Sequence, residues 1–255
     1  MTLEGKDIWV FGGAGYLGQA SVLLLRAAGA RVLCADLGDK AKNFVKSAGV
    51  DPEVTAATLD VRDGQVTELF IAEQLRERGV PHGVVNMTYA ATGKNLEELT
   101  EQDFDESNHG GITSAFILAR AAGTAMAKEG RGSIVLFSSM YGMVSPDPKN
   151  YEAPMKKNPI EYGVNKAGAI QMARYMAIHW GRNNVRCNSI SPGPFPHPGT
   201  QQEHPGFIER LSNRVPLGRI GKAEEIAGAV AFLVSDASTY ITGHNLPVDG
   251  GWTSW

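Results

Sequence analysis

The chain has 255 residues, 43% of them hydrophobic, and 24 basic residues against 27 acidic ones give a formal net charge of −3. A globular chain of this length buries roughly 70–75% of the surface it exposes when unfolded, which excludes a disordered chain and a small disulfide-stapled scaffold. The near-neutral charge, without a run of basic residues, indicates neither a nucleic-acid partner nor an anionic membrane surface.

Location and metal binding are predicted mainly from missing signals. Segment 1–7 is polar and leads directly into an apolar run, unlike a signal peptide, and the strongest apolar segment, 227–234, is far shorter than the roughly 20 residues of a membrane span. We therefore expect a cytoplasmic protein without a membrane partner. Cys34 and Cys187 lie in apolar runs, where packing is expected rather than a disulfide. No metal site is expected, because the six histidines lack ligand spacing.

Short β-rich runs alternate with segments of helical periodicity along the whole chain. The predicted strands are 8–11, 31–35, 54–59, 83–86, 133–137, 185–190 and 246–248. The predicted helices are 16–28, which Gly29 ends, 39–48, 63–78, 104–128, 161–181 and 223–235. This alternation predicts an α/β fold of the Rossmann type: one doubly wound parallel sheet in a three-layer αβα sandwich. Since no linker divides the chain, we expect a single domain, 1–255.

Two proline-rich segments interrupt the alternation. Segment 141–159 contains four prolines and segment 191–205 contains five, and both follow strands at the edge where such sheets bind ligands. Loops of this length in a compact domain are usually functional. We expect 141–159 to be an insertion beside the substrate, and the loop with the helix 206–213 to form a lid, 191–213.

A glycine-rich turn joins the first strand to the first helix. Gly12, Gly15 and Gly18 have the spacing of a turn that holds a dinucleotide pyrophosphate at a helix N-terminus, although a plain glycine-rich connection could look the same. Eighteen residues later, Asp36 ends the second strand. A carboxylate there can accept both ribose hydroxyls and repels a 2′-phosphate, which favours NAD and leaves NADP possible. No adjacent arginine offers a phosphate clamp; the alternative for Asp36 is a solvated loop acid.

Candidate catalytic residues lie at the same edge of the predicted sheet. Tyr162 and Lys166 are four residues apart at the start of a helix, so they share one face, and Ser138 and Ser139 close the fifth strand. An ammonium about 4 Å from the phenol contributes up to about 4 kcal/mol at an effective dielectric near 20, which brings the pKa of tyrosine towards the working range of an acid or base. The alternative is a surface tyrosine at a chance spacing.

Several motifs together, in order along nearly the whole chain, resemble the short-chain dehydrogenase/reductase (SDR) family. They are Gly12-x-x-Gly15-x-x-Gly18, Asp60, Asn86, Ser139 with Gly142, Tyr162-x-x-x-Lys166, Ser191-Pro192-Gly193, Ile241-Thr242-Gly243 and Val248-Asp249-Gly250-Gly251. The resemblance implies that Tyr162 exchanges the hydroxyl proton and that Ser139 binds the substrate oxygen. Lys166 would lower the pKa of Tyr162 and hold the nicotinamide ribose.

The cofactor-binding residues expected from the turn and the resemblance are Gly12, Gly15, Tyr16, Leu17, Gly18, Asp36, Asp60, Val61, Asn86, Tyr162, Lys166, Pro192 and Gly193. Asp60 and Asn86 are expected to touch adenine and hold the loop, and Pro192 and Gly193 to border the nicotinamide. The resemblance also implies a homotetramer or homodimer formed through the two longest helices and the C-terminal strand. Small residues on these helices, such as Ala115 and Ala169, would equally serve the core of a monomer.

Four features depart from the family pattern. Phe11 replaces the usual threonine, and the turn spacing is similar to the extended branch, which includes epimerases and dehydratases, whereas the length and ending are similar to the compact branch. Gly111 stands where a helix asparagine completes the catalytic tetrad; Asn108 could substitute for it. His197 replaces a threonine that contacts the nicotinamide. Finally, the interval between Ser139 and Tyr162 is long, which defines the insertion 141–159.

The insertion bears on the substrate. It carries the polar set Asp147, Lys149, Asn150, Tyr151, Glu152, Lys156 and Lys157, which favours a hydroxylated, possibly anionic substrate over a steroid-like one; the alternative is a solvated excursion or an oligomer contact. The candidate substrate-binding residues are Tyr141, Tyr151, Lys156 and Phe195. The second half of the chain is also similar to family members of nonulosonic-acid and flagellar-glycan sugar pathways and to gluconate 5-dehydrogenase-like enzymes.

These observations predict NAD(P)-dependent hydride transfer between a secondary alcohol and a ketone on a sugar, sugar acid or polyol. One alternative is an NADPH-dependent reductase of 3-oxoacyl thioesters, which the same framework supports. An alternative of another class is a dinucleotide-binding sensor or scaffold without catalysis. Gly111 and His197 favour it, because they replace residues of the family's catalytic and nicotinamide sites. An epimerase or dehydratase is disfavoured, because such members need a larger substrate-binding portion.

Overall fold

The computed structural model describes residues 2–255 and contains one parallel sheet of seven strands. The strands are β1 (Asp7–Phe11), β2 (Arg31–Asp36), β3 (Val54–Thr58), β4 (Gly83–Asn86), β5 (Gly132–Phe137), β6 (Val185–Pro192) and β7 (Asn245–Val248). Their spatial order is β3-β2-β1-β4-β5-β6-β7, and every neighbouring pair is parallel. The predicted Rossmann-type fold is confirmed. The order reverses between β1 and β4, which opens a crevice at their carboxyl ends.

Nine α-helices connect the strands of the described chain. They are α1 (Tyr16–Ala27), α2 (Lys40–Ala48), α3 (Gly64–Arg78), α4 (Glu101–Asn108), α5 (Ser114–Glu129), α6 (Ile160–Trp180), α7 (Pro198–Glu203), α8 (Pro205–Arg214) and α9 (Ala223–Val234). The predicted helix 104–128 is divided by a π-helical turn, His109–Thr113, and the segment 191–205 contains the short helix α7. Neither feature has a signature in hydrophobic periodicity.

Alternating side chains of the central strands build a core on each face of the sheet. Ile8 and Val10 pack in one cluster with residues of α1 and α9, whereas Trp9 and Phe11 pack in the other with residues of α5 and α6. Small residues of α5 and α6, namely Ala115, Ala119, Ala122, Ala169 and Ala173, are buried within the chain. They therefore serve the core, one of the two roles that the sequence left open.

Packing also accounts for the cysteines. Cys34 and Cys187 are both buried and free, and burial raises the pKa of each thiol to about 12, so neither is a reactive thiolate. Among residues 2–255, no three His, Cys, Asp or Glu side chains are grouped so that they could hold a metal ion. No helix in the same range is long and apolar enough to span a membrane. The cytoplasmic location stays a prediction.

Candidate active site

A cleft of about 1140 Å³ runs along the carboxyl ends of the strands. At one end it is lined by the glycine-rich turn and the ends of β2 and β3, and at the other by Ser139, Tyr162 and Lys166. The turn after β6, including Pro192 and Gly193, lines it as well. The topology thus brings together residues that are distant in sequence, and all the predicted cofactor-binding residues except Asn86 line this one cleft.

The glycine-rich turn is packed too closely for side chains at three positions. Gly12 has a φ of +76°, and a Cβ at Gly18 would lie 2.5 Å from the carbonyl oxygen of Gly12. A Cβ at Gly13 would lie 2.8 Å from Sγ of Cys34. Gly15, by contrast, has an ordinary φ of −73° and precedes α1 as its N-cap. The spacing pattern therefore does not reveal the need for glycine at position 13, and no positive φ requires glycine at position 15.

This turn fits the pyrophosphate of a dinucleotide. Its bare backbone faces the cleft beside the N-terminus of α1, where N–H groups and the helix dipole favour an anion. Tyr16 and His197 meet edge to face, with ring centres 5.6 Å apart, and both line the cleft. A contact between the turn and the segment after β6 thus borders the groove that a dinucleotide would occupy.

Asp36 is held rigidly at the end of β2. Its Oδ2 accepts a hydrogen bond from the backbone N–H of Ala14 at 3.0 Å, and its Oδ1 accepts one from Leu37 at 2.8 Å. Each carboxylate oxygen keeps a lone pair for a further donor. The side chain is therefore an ordered acceptor in the cleft wall rather than a freely solvated acid.

Two cations that the sequence pattern does not indicate, Lys40 and Arg62, also line this end of the cleft. Arg62 binds the carboxylate of Asp60, with Nη2 2.6 Å from Oδ2 and Nε 2.9 Å from Oδ1. This hydrogen-bonded pairing lowers the pKa of Asp60. Lys40, the first residue of α2, lies in the same wall. Asp60 therefore presents a carboxylate that is already bound by its neighbour.

Asn86 lies behind the cleft wall. It is buried, and its Oδ1 accepts hydrogen bonds from the backbone N–H of Thr88 at 3.0 Å and from its hydroxyl at 2.7 Å. The side chain thereby fixes the loop that follows β4. The expected role in holding the loop agrees with this geometry, whereas the expected contact with adenine does not.

Ser139 and Tyr162 both line the inner end of the cleft, and the Ser139 hydroxyl lowers the pKa of the neighbouring phenol. Tyr162 is the third residue of α6. Lys166 follows one turn later on the same helix, and its Nζ lies 5.5 Å from the centre of the Tyr162 ring. Lys166 donates a hydrogen bond to the carbonyl oxygen of Phe137 at 2.9 Å. The three predicted catalytic side chains are thus brought together.

Burial dominates the electrostatics of Tyr162 and Lys166. Burial raises the pKa of Tyr162, and the Ser139 hydroxyl lowers it only in part. Burial also lowers the pKa of Lys166, to about 8, because the ammonium has left water. Burial thus opposes the expected lowering of the phenol pKa, and that lowering by Lys166 stays a prediction.

Two further side chains that the sequence did not indicate support the site. The ring of Tyr89, from the loop after β4, meets that of Tyr162 edge to face with centres 6.2 Å apart. Glu161 is fully buried, and its Oε1 accepts hydrogen bonds from the backbone N–H of Thr92 at 2.9 Å and from its hydroxyl at 2.7 Å. The start of α6 is therefore tied to the loop that carries Tyr89.

The predicted substrate residues are divided between the site and the surface. The hydroxyls of Tyr141 and Tyr151 lie 2.7 Å apart, and the Tyr151 ring packs on Phe207 of α8 with centres 5.4 Å apart. Phe195 lines the cleft. Lys156, however, pairs with Glu98 at 2.7 Å on the exposed surface and does not line the cleft. Its candidate role as a substrate ligand is not supported.

Comparison with known proteins agrees with this geometry. Residues 13–253 match the family model described as enoyl-(acyl carrier protein) reductase, a model of the SDR family. The chain is 31% identical over 253 residues to the 3-oxoacyl-[acyl-carrier-protein] reductase of Thermotoga maritima, covering 98% of this chain and 99% of that protein.

Solved structures are similar over the whole fold. A putative NAD(P)-dependent gluconate 5-dehydrogenase from Beutenbergia cavernae, with bound NADP at low occupancy, superposes with a TM-score of 0.89 at 26% identity, covering 100% of this chain and 99% of that one. A short-chain dehydrogenase from Leptospira borgpetersenii with bound NAD+ gives 0.85 at 26% identity, covering 99% and 94%. The chain belongs to the short-chain dehydrogenase/reductase family and is an NAD(P)-dependent oxidoreductase.

Proposed function

We propose that the protein interconverts a secondary alcohol and a ketone on a hydroxylated small molecule, a sugar, polyol or sugar acid, with NAD as the cofactor. The observation that carries the proposal is the grouping of Ser139, Tyr162 and Lys166 in the same cleft as the glycine-rich turn, with Nζ of Lys166 5.5 Å from the centre of the Tyr162 ring. A proton-transferring hydroxyl and a dinucleotide groove then share one site.

The residues have complementary roles in the proposed reaction. Oxidation of the alcohol removes a hydride from carbon and a proton from oxygen, and the bound nicotinamide supplies the hydride acceptor. Tyr162, as phenolate, takes the hydroxyl proton, while Ser139 donates a hydrogen bond to the substrate oxygen. A protonated Lys166 favours the phenolate. In the reverse direction, Tyr162 returns the proton to the carbonyl oxygen and a ketone is reduced.

The preference for NAD rests on Asp36. The carboxylate is fixed by two backbone N–H groups and faces the cleft, where it can accept ribose hydroxyls and repels a 2′-phosphate. Arg62 lies in the same wall, but its guanidinium binds Asp60. Lys40 is the group that would favour NADP. The balance of these charges supports NAD.

The substrate class rests on the wall that faces Tyr162. Tyr141 packs in one cluster with Tyr162, and its hydroxyl is hydrogen-bonded to that of Tyr151. Three of the five charged side chains of segment 141–159 pair with other side chains. Asp147 pairs with Arg214, Glu152 pairs with Arg210 at 2.9 Å, and Lys156 pairs with Glu98. The polar character of this segment supports a hydroxylated substrate within the proposed class.

Organisation and assembly extend the proposal. All seven strands join one sheet, which supports a single domain with 141–159 and 191–213 on the substrate side. One face of α6 exposes apolar side chains at helical spacing, Ile160, Val164, Tyr175 and Ile178. Such a face on a water-exposed helix supports a homo-oligomer, a homotetramer or a homodimer, formed through the long helices.

The mechanism is tested by replacing Tyr162 with Phe and assaying a panel of sugars, polyols and sugar acids with NAD. We expect kcat to fall by at least a factor of about 1000, with the NADH dissociation constant changed less than about threefold. Tyr240→Phe is the matched control, since Tyr240 is fully exposed. Retained turnover in Tyr162→Phe would disprove the role of Tyr162.

A second candidate function is reduction of 3-oxoacyl thioesters with NADPH, which the 31% identity to the Thermotoga maritima reductase favours. NADPH-dependent turnover of an acetoacetyl thioester, without activity on the panel, would replace the proposed substrate class. A third result, cofactor binding without turnover on either set, would favour the non-catalytic sensor.

A further inference from the structure

The π-helical turn between α4 and α5 places a glycine against an asparagine of α6. A Cβ at Gly111 would lie 2.8 Å from Nδ2 and 2.9 Å from Cγ of Asn165, closer than such atoms approach. The carboxamide of Asn165 therefore occupies the space that a side chain at position 111 would take. π-turns within helices are frequent at functional sites.

The carboxamide of Asn165 is buried but only half of its hydrogen-bonding capacity is used by protein atoms. Nδ2 donates to the carbonyl oxygen of Ser107 at 3.1 Å. Oδ1 is inaccessible from the surface and has no hydrogen-bond partner among residues 2–255. Buried polar atoms in folded proteins are almost always paired, and an ordered water commonly pairs those that the protein does not.

Asn165 shares a small internal cavity with Lys166. The cavity measures about 20 Å³ and is lined by Asn86, Thr88, Tyr89, Gly111, Asn165 and Lys166, among others. This volume accommodates one water molecule. Lys166 donates to the Phe137 carbonyl, and an ammonium has three donors, so further donors remain for such a water.

We infer that Asn165 is a positioning residue for Lys166, acting through one buried water that accepts a hydrogen bond from Nζ of Lys166 and donates one to Oδ1 of Asn165. The inference rests on the proposed function, in which Lys166 acts on Tyr162. Its effect is to stabilise the charged form of a lysine whose other facing titratable groups, among residues 2–255, are phenols. These are Tyr162 and Tyr89, with ring centres 5.5 and 6.0 Å from Nζ.

Two substitutions of Asn165 are expected to shift the alkaline limb of the pH profile in opposite directions. Asn165→Leu removes the acceptor, so the ammonium loses support and the pKa of Lys166 falls below its value of about 8. We expect the alkaline limb of the kcat/KM profile to move to lower pH by about one unit and kcat at pH 8 to fall about fivefold. Asn165→Asp keeps an acceptor and adds negative charge, so the alkaline limb should move to higher pH.

A control separates positioning from packing. Asn188 is another buried asparagine, on β6, whose Nδ2 donates to Ile241 and whose Oδ1 accepts from the backbone N–H of His244. Asn188→Leu should lower the unfolding midpoint without moving either limb of the profile. If Asn165 were only a packing residue, its Leu and Asp variants would behave like Asn188→Leu, and the inference would fail.

A readout without turnover comes from a high-resolution crystal structure of the protein without substrate. We expect density for one water within hydrogen-bond distance of Asn165 Oδ1 and Lys166 Nζ. A dry cavity, or a water that contacts only one of the two atoms, would overturn the inference. If Asn165→Leu does not fold, two results still test the role of Asn165. They are the direction in which the alkaline limb moves in Asn165→Asp and the density for the water.

The outcomes also separate the inference from the proposed function. An inactive Tyr162→Phe together with unchanged profiles in both Asn165 variants would refute only the role of Asn165. A fully active Tyr162→Phe would refute the proposed mechanism, whereas the crystallographic test of the water would still stand. Opposite shifts in the two variants, with the water present, support both.

Discussion

Lys166 combines a catalytic position with an unfavourable environment. The side chain is buried, no carboxylate of residues 2–255 lies within ion-pair distance of it, and its pKa falls from the ordinary 10.5 to about 8. Between these two pH values the unfolded chain binds more protons than the folded one, so this lysine makes stability rise with pH over that window. Below pH 8 the folded protein bears the full cost of the buried ammonium.

Replacing Lys166 with Met should therefore stabilise the protein while abolishing turnover. The pKa difference corresponds to roughly 3 kcal/mol, from which the lost hydrogen bond to Phe137 subtracts about 1, leaving a gain of about 2 kcal/mol in the free energy of unfolding at pH 7. Urea denaturation of both proteins at several pH values measures it. The difference should shrink as pH rises from 8 towards 10.5. A variant less stable than the parent at pH 7 would contradict this account.

Asp36 allows a test of cofactor choice at the same scale. Asp36→Ala removes a charged acceptor from the ribose site and also frees the N–H groups of Ala14 and Leu37. We expect the NADH dissociation constant to rise at least about tenfold, and the NADPH constant to change less, because the repulsion of a 2′-phosphate is lost with the carboxylate.

Asp39→Ala is the matched control for that titration. Asp39 lies three residues further on, is exposed, and makes no side-chain cap to α2. Fluorescence titration of both variants with NADH and NADPH gives the ratio of the two constants. An equal loss of affinity for both cofactors in Asp36→Ala would show that the carboxylate supports the turn without selecting the cofactor.

At the scale of the element, the glycine-rich turn predicts different tolerance at two of its glycines. A Cβ at Gly18 meets the Gly12 carbonyl oxygen at 2.5 Å, whereas at Gly15 the nearest atom is that same oxygen at 3.3 Å. Gly18→Ala should lower the free energy of unfolding by about 2–3 kcal/mol, and Gly15→Ala by less than about 1 kcal/mol. Denaturation without cofactor measures both. Equal losses would show that the turn relaxes around the new methyl group.

The same turn shows which features can be predicted from the sequence and which depend on contacts between elements. The positions of strands and helices follow from local periodicity, because each element of a parallel α/β sheet carries its own pattern of buried residues. The need for glycine at position 13 depends instead on Cys34, a residue of the neighbouring strand β2. Likewise, Arg62 enters the cofactor cleft because β3 ends beside β2. Contacts between elements were therefore beyond the reach of the sequence pattern.

For the catalytic residues too, some features could be predicted from the sequence and others could not. The spacing of Tyr162 and Lys166 on one helix face predicted their proximity correctly. Their pKa values could not be predicted, since both depend on how completely the surrounding elements exclude water. Nor could the sequence show that Gly111 and Asn165 fill one space, because this contact needs the π-turn between α4 and α5.

At the scale of the whole molecule, the exposed apolar face of α6 is the surface through which we expect the chain to assemble. Tyr175 is 69% exposed and Ile178 is 86% exposed, and these residues lie on the same helix face as Ile160 and Val164. The helix also carries Tyr162 and Lys166 on its buried side. An interface on α6 would therefore brace the helix that holds the catalytic residues.

Ile178→Glu tests this assembly by placing a charge at the most exposed residue of the face, near the C-terminal end of α6. A buried unpaired carboxylate is costly, so we expect light scattering to give the mass of a smaller species, the monomer or a dimer, for the variant and a larger one for the parent. Val66→Glu adds the same charge on an exposed position of α3 and should leave the mass unchanged. A parent protein that is already monomeric would refute the interface. Loss of activity together with loss of mass in Ile178→Glu, but not in Val66→Glu, would indicate that assembly holds α6, and with it Tyr162, in the position that catalysis requires.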